Sequence, residues 1–408
     1  MLQTPSSGAP QLVSEVSAGD GSLFGAYNVR YDAERYMVFI ITAFSNSITA
    51  IDVRDPSAPV VAGTFLGTNR TTPNGGGIVD NQLVGMAMDF SGHRLFVAAF
   101  YLEAVVIFDT SDVANITVLG FIEDANVLDH PAGMEYDADR DLVIVTGRAS
   151  NTLVVIDVSD GANAYIVGSV KDNETLAGAH SVAYDPETQL AYVGAYLVDG
   201  MTIVDTSDAS NPVVLGHVRS QEYNDWPVQL VIDQANLLVY VAGAASGSVA
   251  VFNISDSSNP TLVGGLLDLR LLSIAGMAMD KENKRIIAAT VIANTVATIS
   301  IEDPLNPVII GEVAYYNGSR DVAYDEQRGL AYLCSQWAAP EFAIFDMSDP
   351  AIAGSGTTPC TTTNDCPIPG QTCECAAGNA QVDRRRRLND KRRGLLFGFY
   401  ENTCVCAW

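Results

Sequence analysis

The sequence predicts an all-β, seven-bladed β-propeller of four-stranded blades, followed by a small disulfide-rich C-terminal tail. Three observations predict it. A phrase of about 48 residues recurs seven times, a second marker repeats in phase with it, and six of the seven cysteines lie in the last 49 residues. The length of 408 residues and a 48 % hydrophobic content allow large buried cores, and an internal repeat outranks length as a guide to domain count.

The recurring phrase is an apolar run, Asp, one residue, Ser and Asp, often followed by Asn-Pro and a further apolar run. Its closing acids are Asp55, Asp112, Asp160, Asp208, Asp256, Asp303 and Asp349, at steps of 57, 48, 48, 48, 47 and 46 residues. An insertion, residues 67–82, accounts for the long first step. The second marker is an Asp closing a short apolar strand: Asp32, Asp89, Asp137, Asp185, Asp233, Asp280 and Asp325.

The fourth copy shows the blade most plainly. Residues 181–184, 190–196, 201–205 and 213–218 read as four short strands, and Asp185-Pro186 supplies the turn chemistry between the first two. The strands are nearly continuous apolar runs, so both faces of each sheet must be covered, and stacking in a ring covers them. The blades are placed at about 25–65, 83–122, 130–170, 179–218, 226–266, 274–313 and 318–356 within a propeller of residues 1–358. The seventh copy has no Asn-Pro strand, but Ala9-Pro10-Gln11-Leu12-Val13-Ser14-Glu15-Val16 repeats that missing phrase at the N-terminus. Strand 10–16 is therefore expected to complete the last blade, from its own chain or from a neighbouring molecule.

The phrase Ile203-Val204-Asp205-Thr206-Ser207-Asp208, with Asn211-Pro212-Val213-Val214-Leu215-Gly216, resembles the LVIVD repeat. The resemblance covers roughly residues 10–356. It implies an extracellular or cell-surface propeller and carries no settled activity. Ser300 in place of the first Asp and the missing seventh Asn-Pro strand are its departures.

Residues 359–408 form a different object. Cys360, Cys366, Cys373, Cys375, Cys404 and Cys406 read as three disulfides of an oxidising compartment, with zinc as the rival. The tail has no His, and its Cys-x-Cys pairs lack the usual zinc spacing. Cys334, inside an apolar strand, reads as a buried free thiol. The tail also holds Arg384, Arg385, Arg386, Arg387, Lys391, Arg392 and Arg393, giving it a net charge of +2 against −28 for the rest. This run is open to three readings: a solvated loop, a dibasic processing site or a docking segment for an acidic surface. The apolar stretch 395–400 beside it favours packing or strand addition.

The overall charge of −26 excludes nucleic acid as a partner of the body. No apolar run is long enough to span a membrane, and the first residues lack a signal peptide's basic start and apolar core, so a secreted form implies a leader absent from this sequence. The repeated Asp residues are expected to cap turns. Calcium needs five or more converging oxygens, whereas the spacing offers one or two per turn, so no cofactor is expected, with calcium as the alternative. Sequons at Asn69, Asn115, Asn173 and Asn317 are glycosylation candidates, and Asn253 completes the set.

No nucleophile-base pair or metal-ligand spacing stands out. Tyr27, His130, His180, Trp226 and Arg320 fall near the starts of first strands and are expected to ring one mouth of the channel. The expected function is a non-catalytic extracellular structural, adhesion or scaffold protein that self-associates. Its sharpest form is a head-to-tail filament linked through the terminal strand or the Cys-rich tail. Its partners would be itself or an extracellular protein or glycan. The alternatives are a hydrolase or lyase acting on glycans, or a ligand-binding propeller with its site at the mouth.

Overall fold

The computed structural model describes residues 9–67, 82–315, 318–337 and 339–347, together with strand residues 372–374 and 405–407. The chain divides into two units, Met1–Ala351 and Ile352–Trp408.

The first unit is a ring of seven four-stranded antiparallel sheets. Blade 1 holds β2 (Ala26–Asp32), β3 (Met37–Thr42), β4 (Ser47–Asp52) and β5 (Val60–Leu66). Blade 2 holds β6 (Leu83–Asp89), β7 (Arg94–Ala99), β8 (Ala104–Asp109) and β9 (Thr117–Glu123). Blade 3 holds β10 (Pro131–Asp137), β11 (Leu142–Gly147), β12 (Thr152–Asp157) and β13 (Tyr165–Lys171). Blade 4 holds β14 (Ala179–Asp185), β15 (Leu190–Ala195), β16 (Gly200–Asp205) and β17 (Val213–Arg219). Blade 5 holds β18 (Pro227–Asp233), β19 (Leu238–Gly243), β20 (Ser248–Asn253) and β21 (Thr261–Leu267). Blade 6 holds β22 (Ile274–Asp280), β23 (Arg285–Thr290), β24 (Thr295–Ser300) and β25 (Val308–Ala314). Blade 7 has β26 (Ser319–Asp325), β27 (Leu330–Ser335) and β28 (Phe342–Asp346).

Its fourth strand is β1 (Gln11–Val16), which pairs antiparallel with β28 in the same chain, Glu15 opposite Ala343 and Leu12 opposite Phe345. Ser14 Oγ donates to the Pro56 carbonyl at 2.6 Å, so the closing strand also touches blade 1. The last blade is completed from the other end of its own chain.

The core is seven cores, one between each pair of blades. Alternation along β3 shows why. Val38 and Ile40 join Tyr332, Phe342 and Ile344 of blade 7, whereas Phe39 and Ile41 join Leu95, Val97 and Phe108 of blade 2. Cys334 is a buried free thiol in the blade 7 to blade 1 core, and burial pushes its pKa up. Inner strands approach closely. A Cβ at Gly133 would lie 2.7 Å from Ser181 Cα, and one at Gly276 would lie 2.6 Å from Asp321 Cα, so only glycine fits there.

The repeated Asp residues cap turns. Asp137 Oδ1 accepts the amides of Asp139 and Arg140, and Asp208 Oδ1 accepts that of Ser210. At five junctions the first-turn Asp also anchors an arginine that reaches the next blade. Arg140 Nε donates to Asp137 at 2.7 Å while its Nη1 donates to the Thr206 carbonyl at 2.8 Å. Arg35, Arg94, Arg285 and Arg328 repeat the clasp onto the carbonyls of Thr110, Val158, Met347 and Val53. Burial pushes the Asp137 carboxyl up, but the bonds from Arg140 and Tyr184 outweigh it and hold its pKa below the usual value. Blades 4 and 5 lack the arginine: Asp185 holds Thr188, and Asp233 holds Asn236.

Among the described residues no helix is long and apolar enough to cross a membrane. In the second unit, β29 (Thr372–Glu374) pairs antiparallel with β30 (Val405–Ala407), placing Cys373 and Cys406 at one register position. Cys360, Cys366, Cys375, Cys404 and the basic run 384–393 lie outside the described residues.

Removing a buried clasp strands its carboxylate. Arg285→Met, whose side chain is only 9 % exposed against Asp280, is expected to cost about 3 kcal/mol. Arg54→Ala, 63 % exposed against Asp52, is expected to cost under about 1 kcal/mol. Paired urea denaturation curves check the contrast.

Candidate functional site

One end of the channel is built from two repeated backbone devices. The residue before each inner strand has a left-handed conformation: Gly25, Gln82, His130, Gly178, Trp226, Ser273 and Gly318, with φ between 46° and 78°. Two residues further on, the pairing of each inner strand slips, leaving Tyr27, Val84, Ala132 with Gly133, His180, Val228, Ala275 and Arg320 out of register. Such a bulge re-aims the side chain that it carries.

The five residues expected on one ring therefore occupy two tiers. His130 and Trp226 stand on the left-handed tier, one residue before β10 and β18, and Tyr27, His180 and Arg320 stand on the bulge tier. The correction is physical: the left-handed residue and the bulge residue sit two apart, a difference that an alignment of first strands by composition does not resolve.

Glycine is the natural occupant of a left-handed position, and a bulky residue there is an outlier. His130 and Trp226 are held by what surrounds them. His130 Nδ1 lies 2.8 Å from Asp129 Oδ1, and its ring lies tilted 4.3 Å from Phe100 and edge-on 5.7 Å from Tyr101. The Trp226 ring lies 5.9 Å from Tyr196, and its amide donates to Asp199 Oδ1 at 3.4 Å. Arg148 fills the space between, 5.6 Å from the Phe100 ring and 4.6 Å from that of Tyr196. Tyr101, Phe100, His130, Arg148, Tyr196 and Trp226 thus form a continuous arc across blades 2 to 5. Phe100, Arg148 and Tyr196 enter from the connection between the second and third strands, whose amides bond the left-handed residue's carbonyl (Arg148 N to His130 O, 3.1 Å).

Across the mouth, Arg320 of blade 7 lies 4.2 Å over the Tyr27 ring of blade 1 and donates to its hydroxyl. Of the eleven described arginines, eight make carboxylate ion pairs. Arg148 and Arg320 are two of the three that do not. The third, Arg219, donates to His217 and to the Glu174 carbonyl.

The charges of both cations reach His180. Burial, then the charges of Arg148 and Arg320, holds its pKa well below the usual histidine value, so the ring is neutral, and its Nδ1 is buried without a hydrogen-bond partner. Deeper in the lumen, Arg30 pairs with Asp321 at 3.5 Å, and Asp321 Oδ2 accepts the Val29 amide across the blade 7 to blade 1 seam. Burial raises the pKa of Glu135, Asp321 raises it further, and Arg30 opposes.

Among the described residues no group of three or more His, Cys, Asp and Glu could hold a metal ion. Of the sequons, Asn115 ends a 3-10 turn and Asn173 is exposed, its side chain accepting from Asn151 at 2.9 Å. Asn69 and Asn317 lie outside the described residues.

A family model for the LVIVD repeat matches residues 147–172 and 191–220, the third strand to the outer strand of blade 3 and the second to fourth strands of blade 4. The chain carries LVIVD repeats. No curated protein matches it significantly. The ring is similar in fold to the β-propeller domain of Cps50 (Swd1) from Myceliophthora thermophila, at 11 % identity and TM-score 0.62, covering 83 % of this chain and 99 % of that one. A functionally unknown protein from Desulfotomaculum acetoxidans follows at 14 % identity and TM-score 0.56, with coverage of 74 % and 91 %. A protein from Lactobacillus plantarum shows 12 % identity and TM-score 0.59, with coverage of 72 % and 86 %. At these identities the likeness is one of fold.

The left-handed tier makes a stability prediction. Glycine relieves roughly 1–2 kcal/mol of backbone cost at positions 130 and 226, and the lost ring contacts are worth about 0.5–1.5 kcal/mol. His130→Gly should therefore change stability by less than about 1 kcal/mol, whereas Trp226→Gly also withdraws its ring from the core between blades 5 and 6 and should destabilise by more than about 1 kcal/mol. Gly178→Ala has φ +71° and a Cβ 2.6 Å from the Tyr196 ring, so it should destabilise by more than about 1 kcal/mol. Denaturant midpoints of the three variants decide.

Proposed function

We propose that the protein is a non-catalytic extracellular binding module that engages glycans at this channel mouth. The observation that carries the reading is the continuous arc from Tyr101 to Trp226, in which ring faces and a cation cross four blades. Two of its members hold left-handed positions where the other blades place Gly, Gln or Ser. Backbone cost retained at a rim supports a role at that rim. Rigid aromatic faces offer large contact area to the C–H face of a sugar ring, and nearby polar groups fix its orientation. Secretion belongs to the same proposal, supported by the LVIVD repeats and by the cysteine content of the tail.

Binding is favoured over hydrolysis by how the rim acids are used. Glycoside hydrolysis needs two carboxyl groups facing one bond. Asp129 is committed to His130, and Asp199 accepts the Trp226 amide. The strand-linked filament gains no support from the geometry, because β1 already occupies the free edge of β28. Linkage through the Cys-rich tail falls on residues outside those described.

An array of extracellular glycans, probed with the full chain and with the Tyr196→Ala/Trp226→Gly variant, tests the reading. The expected result is a bound subset that the variant loses at an unchanged circular dichroism spectrum, with the oligosaccharide recovered intact after prolonged incubation. Undiminished binding by the variant, or shortened oligosaccharides in the mass spectrum, would contradict it.

A further inference from the structure

We infer that the mouth selects acidic saccharides, with Arg148 and Arg320 receiving the carboxylate while the aromatic arc receives the sugar ring. The inference rests on the glycan reading above and assigns the ligand's charge and the residues that recognise it.

The argument begins with charge. The chain carries −26, yet two guanidinium groups at one mouth have no carboxylate within ion-pair distance among the described residues. Elsewhere among the described residues every arginine but Arg219 pairs with a carboxylate, half-exposed Arg270 with Asp268 and Glu312 included. Arg148 and Arg320 are held by ring faces instead: Phe100 and Tyr196 for one, Tyr27 for the other. Arg320 spends one Nη2 hydrogen on the Tyr27 hydroxyl, and the other N–H groups of the two guanidiniums are the donors that a carboxylate would meet. Stacking also fixes the side chain before the ligand arrives, which lowers the ordering cost of binding.

His180 completes the polar set. Its neutral ring stands in the field of both arginines, and its Nδ1 has no partner. Being neutral, the imidazole adds no third cation.

The acidic setting limits the charge of the ligand. Long polyanions such as nucleic acid would meet the strongly negative body beyond the mouth. Asp129 stands at the rim beside His130, and Asp321 and Glu135 lie deeper in the lumen. Two isolated cations in such a field suit one or two carboxylates carried on neutral rings. Tyr101, 55 % exposed, and Trp226 supply ring faces at the two ends of the arc.

Titration calorimetry on the full chain tests this, using a glucuronic-acid-containing oligosaccharide and its carboxyl-reduced form, which differ only in carboxylate against primary alcohol. The acidic form is expected to bind at least about tenfold more tightly, the usual scale of a charge-assisted hydrogen bond. Arg148→Gln and Arg320→Gln should each remove most of that preference, weakening the acidic form several-fold more than the reduced form. Equal binding of both forms by the wild type overturns the inference and leaves the glycan reading standing. So does an equal loss of both forms in the arginine variants at an unchanged melting temperature. Failure of every acidic and neutral oligosaccharide on the array to bind the wild type overturns the glycan reading itself.

Discussion

Each blade carries apolar side chains on both faces, so no blade can bury its surface without two neighbours, and the ring must close for the last pair of faces to be covered. That condition falls on six residues. Gln11–Val16 pair with β28, and Ser14 adds a contact to blade 1. Seven interblade cores follow from the closure, and the one at the seam draws Leu23, Val38 and Ile40 against Tyr332, Phe342 and Ile344. The seam also carries polar contacts. Asp321 accepts the Val29 amide, Arg328 reaches the Val53 carbonyl, and Arg320 lies on Tyr27. Closure and the candidate site therefore share residues: a ring open at that seam would separate Arg320 from the ring that holds it.

The remaining geometry of the mouth comes from repetition with local exceptions. Every blade supplies a left-handed residue and a bulge, and with two residues in the blade 3 bulge fifteen positions are aimed by backbone alone. Most carry small or aliphatic residues that close the ring tightly, as Gly133 does within the blade 3 bulge and Gly276 beside that of blade 6. His130 and Trp226 depart from this pattern, and their neighbours compensate. Where glycine holds the left-handed position, an aromatic of the adjacent connection lies over it: Phe44 over Gly25, Tyr196 over Gly178 and Trp337 over Gly318. Ring faces can thus reach the rim from either of two backbone positions, and blades 2 to 5 use both to make one arc. Clasping arginines hold the opposite end of five junctions, so the rim can carry conformational cost without holding the blades together.

Much of the ring was legible in the sequence, because a blade needs the same turn chemistry each time it recurs. Asp32 and its six counterparts mark the first turn, Asp55 and its counterparts the third, and the N-terminal copy of the outer-strand phrase announced the closure. The mouth was only half legible. Tyr27, His180 and Arg320 stood out as polar or bulky residues in apolar strands, but a bulge leaves no mark in composition, so His130 and Trp226 merged with them. Phe100, Arg148 and Tyr196 were missed because the connection that carries them has no repeated marker: the residues bonded to the left-handed carbonyl are Ala43, Phe100, Arg148, Tyr196, Ala244, Val291 and Gln336. One available signal was an arginine and two aromatics at the ends of otherwise apolar second strands. The clasps were hidden by variable offset. Arg35, Arg140 and Arg328 lie three residues after their Asp, whereas Arg94 and Arg285 lie five after theirs.

The claim on which the site depends is closure within one chain, and one cross-link tests it most directly. Glu15 and Ala343 stand opposite each other in the β1–β28 pair, so the Glu15→Cys/Ala343→Cys variant should form a disulfide on mild oxidation. The account predicts a monomer linked between positions 15 and 343, identified by non-reducing peptide mapping, with no covalent multimer beyond what the unsubstituted chain shows through its own tail cysteines. A ladder of covalent multimers joined through the same two positions would show that the strand is given to a neighbour, and would contradict the account.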